Sequence, residues 1–167
     1  MQNGLKLTGR RRMATATAFT ALAFVTLVGS GAHAKTWDHV ANIKASAEHL
    51  AKLQQAKGAL GAFEFIANCY KTHELAEEFG SALEGCLVQD YIHSKITAAV
   101  YAKLPPAERE RLGIPGPDEL VRGMLGRFGG AMAKYKLKEA DARKLIADID
   151  KHGVPVFSKM RFPKKAE

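Results

Sequence analysis

Two cysteines, two histidines and a few acids carry the chemistry that this chain could perform. Cys69 and His73 are four residues apart, as are His73 and Glu77; Asp90 precedes His93 by three residues and Cys86 precedes it by seven. On a helix these intervals place each set on one face. Paired thiols in an oxidising compartment form a disulfide. Held reduced on facing helices, two thiolates and two imidazoles would bind a tetrahedral soft ion such as zinc or copper(I). A third arrangement keeps the disulfide and lets His73 and His93 bind an ion with Asp90 and Glu77, because carboxylate-x-x-His on bundle helices is how di-iron proteins present ligands. That chemistry needs two such motifs and two further glutamates, and only Asp90-Tyr91-Ile92-His93 fits. Cys-x3-His and Cys-x6-His also differ from the spacings of short zinc motifs. The disulfide is therefore the expected state, with a metal at His73, His93 and Asp90 as the alternative. Hydrolysis would require a cleft in which His73, Asp90 and His93 converge. No Gly-x-Ser-x-Gly elbow, His-Glu-x-x-His, phosphate loop or Cys-x-x-Cys-His haem site occurs, so neither an enzyme class nor an organic cofactor is expected.

The state of the thiols depends on the compartment, and the N-terminus reads as an export signal. Lys6, Arg10, Arg11 and Arg12 precede an uncharged apolar run from Met13 to Val28, and Ala32-His33-Ala34 forms a small-x-small cleavage site. Cutting between Ala34 and Lys35 leaves 133 residues of the 167, the length of one domain with a real core. The apolar run is shorter than the roughly 20 residues that a membrane span needs, so no transmembrane span is expected after cleavage. The expected destination is the periplasm or the exterior. Losing the four leader cations brings the net charge from +8 to about +4, an ordinary surface excess that points away from nucleic acid.

These residues must be held by helices. Ala, Leu, Lys and Glu dominate, and no stretch alternates apolar and polar residues for long, so the fold class is all-α: a small bundle of five or six helices with one interhelical disulfide. The first helix is predicted over Trp37 to Lys57, capped by Thr36 and ended by Gly58, and the second over Ala59 to Glu78. Ser81-Ala82-Leu83-Glu84 has the form of a capping box, starting a helix that runs to about Leu104 before Pro105-Pro106. The Gly80-Ser81 break lies close to the midpoint between Cys69 and Cys86. Antiparallel helices joined there bring the cysteines opposite each other, in a bridge worth about 3 kcal/mol by chain entropy. A short helix over Ala107 to Leu112, one from Asp118 to Tyr135 and one from Lys138 to Lys151 complete the set. Gly153 and Pro155 are expected to stop the last of these, leaving a basic, disordered tail from about residue 157 to 167.

One segment has a second reading. Gly123, Gly126, Gly129 and Gly130 interrupt a helix that also carries Met124, Phe128 and Met132, and each interior glycine costs about 1 kcal/mol against alanine. Close packing against a neighbouring helix would explain them. So would a Met-rich lip that meets an apolar partner, making Gly123, Met124, Gly126, Phe128 and Met132 the candidate interaction surface. The functional expectation is an exported, non-enzymatic accessory or stress-protective factor that contacts a protein or an anionic envelope surface. A periplasmic metal-binding protein using His73 and His93 is its alternative.

Overall fold

The computed structural model of the chain describes residues 37–73 and 76–163. Six α-helices follow in order: α1 His39–His73, α2 Ser81–Tyr101, α3 Pro106–Arg111, α4 Pro117–Lys134, α5 Glu139–Asp148 and α6 Val154–Arg161, with a π turn Ile149–Gly153 between the last two. No strand occurs among the described residues. The all-α bundle expected from composition is what forms, and Cys69 is bonded to Cys86 across α1 and α2. The leader and its cut at Ala34 and Lys35 lie outside the described residues. Among those described, no helix is long and apolar enough to cross a membrane.

α1 contains the two predicted helices on either side of a break at Gly58. Its φ of 71° and ψ of −174° are open essentially to glycine alone. The first arm buries Ile43, Ala47, Leu50 and Ala51, and the second buries Ala62, Ile66 and Tyr70, at helical spacing. Thr36 also lies outside the described residues; the first turn is capped instead by Asp38, whose Oδ1 accepts the amide of Ala41 at 3.0 Å. The second arm ends at His73, five residues earlier than expected, where Ala76 N–H donates back to the His73 carbonyl.

α2 packs against both α1 and α4. Every residue from Leu83 to Ser94 is buried. A helix buried on all sides should be apolar throughout, yet this one carries Glu84, Gln89, Asp90, His93 and Ser94 inside. Each must find a partner or pay for desolvation, and that requirement builds the polar clusters described below. The expected capping box does not form: α2 starts at Ser81 as predicted, but neither Gly80 nor Ser81 supplies a side-chain cap. Glu84 has turned inward because three donors wait there.

The C-terminal end corrects another expectation. Gly153 and Pro155 do not stop the chain; the helical path widens into the π turn, where Val154 N–H donates to the Ile149 carbonyl five residues back. Widening makes room for a proline that would otherwise clash with the preceding turn. Gly153 lets the backbone press between Ile43 and Ile92, since a Cβ there would lie 3.1 Å from each. α6 then docks on α1 through fully buried Phe157, so the supposed tail is helical to Arg161.

Candidate functional site

α2 carries two buried carboxylates, and they are handled differently. Asp90 is wholly inaccessible and accepts four hydrogen bonds: from Tyr70 Oη at 3.0 Å, Ser94 Oγ at 3.1 Å, Arg127 Nε at 2.8 Å and Arg127 Nη2 at 2.7 Å. Both oxygens are saturated, and the bidentate guanidinium ties α4 to α2. Burial, with Asp90 alongside, pushes the Tyr70 phenol well above its usual range, and the Asp90 hydrogen bond raises Arg127 in turn. This cluster is a structural joint between α2, α4 and α1.

Glu84 lies one turn into α2, beside the positive end of the helix. Its Oε1 accepts from Trp37 Nε1 and Asn42 Nδ2, each at 2.9 Å, and its Oε2 faces His39 Nδ1 at 2.5 Å. Only 1 % of the Glu84 side chain is accessible, whereas His39 is 56 % exposed. A buried carboxylate on Nδ1 fixes the plane of an imidazole and leaves Nε2 as its working atom. The Trp37 ring lies 4.8 Å from that imidazole and holds it from the side.

His39 and Glu84 line a cavity of about 400 Å³. Phe79, Met132, Leu137 and Leu145 line it together with Asp141, Lys144 and Asp148. Lys144 is paired with Asp148 at 2.7 Å. Asp141 is engaged at the start of α5, where Lys138 N–H donates to it. The result is an apolar chamber with one oriented imidazole, a geometry suited to holding a small molecule by one polar end. Sequence reasoning missed it, since Glu84 read as a cap and neither Trp37 nor His39 stood out. The only trace was three side chains bearing N–H groups, at 37, 39 and 42, clustered where α1 begins.

The residues expected to carry metal chemistry fall in separate places. His93 is buried among α2's neighbours, with Gln54 Nε2 donating to its Nδ1 at 2.9 Å and the Phe63 ring nearby. Desolvation lowers its pKa, the Asp90 charge opposes that shift, and Arg127 adds to it. Asp90 has no lone pair to spare. Glu77 does not follow His73 on a helix, because α1 has already ended, and it lies exposed on the connecting bend. Among the described residues, the one group of donors spaced for a metal ion is Cys69, His73 and Cys86. None of His73, Asp90 and His93 lines the cavity beside His39.

The candidate interaction surface on α4 is also turned around. Met124, Phe128 and Met132 are core residues, and Leu125 is the large apolar side chain that α4 exposes. Nor does helix packing require the glycines: a Cβ added at Gly126, Gly129 or Gly130 would meet nothing within 4 Å. Gly123, Gly126 and Gly130 instead border a second cavity of about 390 Å³, with Tyr70, Leu83 and Arg127.

No family model matches this chain, and no match was found to it among curated proteins or solved structures.

Proposed function

We propose that this chain is an exported, non-enzymatic binding protein of the cell envelope that takes up a small, largely apolar molecule with one polar end in the cavity beside His39. The leader-like N-terminus and the closed Cys69–Cys86 bridge support export. The observation that carries the ligand reading is the buried Glu84 carboxylate, which orients a half-exposed imidazole toward an apolar chamber. Contact with a protein or membrane through Met124, Phe128 and Met132 loses its support, because those side chains are inside.

Trp37 is the sole tryptophan of the chain and touches the site directly, so its emission reports on occupancy. Titration of the mature protein with octanoate, octanol and octylamine should give a saturable change for at least one head group, weakened about tenfold or more in His39→Ala. Absence of any saturable change, or equal binding by the variant, would count against the reading. The export half is checked by the intact mass of protein recovered from the envelope: a chain beginning at Lys35 with no free thiol is expected, and retention of Met1 contradicts it.

A further inference from the structure

We propose that reduction of the Cys69–Cys86 bridge uncovers a soft-metal site formed by Cys69, His73 and Cys86. It shares no residue with the cavity beside His39 and does not rest on the ligand reading. The donor atoms of the three residues all lie within 4.8 Å of one another. Cys69 and His73 stand one turn apart on the last part of α1, Cys86 faces them from α2, and the two cysteine Cα atoms are 5.8 Å apart. Two rigid helices therefore present the whole set.

The fit can be judged from bond lengths. Zinc bonds sulfur at about 2.3 Å and imidazole nitrogen at about 2.0 Å, which puts the donors of this set roughly 3.5 to 3.8 Å apart in a tetrahedron. To reach that spacing the two sulfurs part from bonding distance and the imidazole closes in from within 4.8 Å. Cys69 and His73 are half-buried and Cys86 is buried, so an ion enters from the Cys69 and His73 side and keeps a fourth position for water or an external ligand. Two thiolates neutralise a divalent ion, which lowers the cost of placing it against the core. His93, required by a four-ligand arrangement, is excluded because Gln54 holds its Nδ1 in the core.

The chemistry balances with a dithiol as reductant. The dithiol gives two electrons and two protons to the bridge; the S–S bond breaks into two cysteine thiols, and the dithiol closes into its own disulfide. A divalent ion then displaces both protons, which pass to solvent as two metal–sulfur bonds form. The same two sulfurs cannot do both jobs. The oxidised chain is stapled and the reduced chain binds metal.

The test uses the mature protein, reduced with a dithiol, freed of excess reagent without air and titrated with Co(II). The expected result is a single equivalent bound, with thiolate-to-cobalt charge transfer and tetrahedral d–d absorption, displaced by zinc and absent from the oxidised protein. His73→Ala should weaken the affinity about tenfold or more, and Cys69→Ser should diminish the charge-transfer band. Far-UV circular dichroism is recorded alongside. Three results would overturn the proposal: a reduced, helical protein with no such bands; equal affinity in His73→Ala; or reduction that abolishes the helical signal, so that cobalt binds only an unfolded dithiol.

Discussion

Asp90 and Glu84 sit six residues apart on the same helix and are almost equally inaccessible, yet their surroundings differ in kind. Asp90 meets a guanidinium that binds it through two nitrogens, a phenol and a hydroxyl, so its charge is committed to joining α2 to α4 and α1. Glu84 meets an indole, an amide and an imidazole, and the imidazole opens onto a chamber. Burial of a carboxylate is thus no guide to its role. What distinguishes the two is the partner: a guanidinium that binds Asp90 through two nitrogens, against a half-exposed imidazole on Glu84.

The largest expected effect breaks the joint at Asp90. Asp90→Asn would leave Arg127 without its counter-ion and should lower unfolding free energy by about 3 kcal/mol, since breaking a buried pair on one side costs about 3–5 kcal/mol and Arg127 is partly solvated. Urea denaturation measures it, with the Trp37 titration of any folded protein unchanged. Glu84→Gln should be milder, about 1–2 kcal/mol, because its amide oxygen can still accept from Trp37 and Asn42. It should nevertheless abolish the response of Trp37 to ligand, as the imidazole loses its orienting charge. If Glu84→Gln were the more destabilising of the two, the contrast between joint and site would collapse.

A pH profile sharpens the contrast further. His93 has a folded pKa below its ordinary 6.5 because burial disfavours the imidazolium. Its contribution is therefore fully present above about pH 6.5 and is lost as pH falls through the folded value, where the unfolded chain has already taken up a proton. Stability measured across this range should fall on acidification, and His93→Gln should flatten that slope. The smallest effects concern α4 beside the joint. Gly126→Ala and Gly130→Ala enter open space in a regular helix and should each stabilise by about 0.5–1 kcal/mol, with ligand response at His39 intact. Destabilisation would show that the glycines have a structural duty.

Much of the framework was legible in order along the chain. The break at Gly58, the start of α2 at Ser81, the end of α2 before Pro105-Pro106 and the disulfide all follow from local rules of propensity, chain reversal and thiol chemistry. Local rules misjudged places where a distant partner outbid a neighbour. Glu84 gave up the capping role for donors at residues 37, 39 and 42. Gly153 and Pro155 looked like a stop, but the burial of Phe157 and the close fit of Gly153 against Ile43 and Ile92 carry the helical path on through the π turn. On α4, the stripe of Met124, Phe128 and Met132 is apolar at helical spacing, but periodicity alone could not say whether it faced the core or a partner.

By itself the amino-acid order determined that this protein is helical, roughly where its helices begin and end, and that its two sulfurs would meet, because these depend on residues close in the chain or mirrored about one turn. Only the tertiary structure decided which buried acid became a joint and which became a site. That choice rests on side chains about 40 residues apart in sequence, whose meeting depends on how α1 and α4 lie along α2. No local pattern encodes such a meeting, since the energy that favours it appears only once the helices are packed.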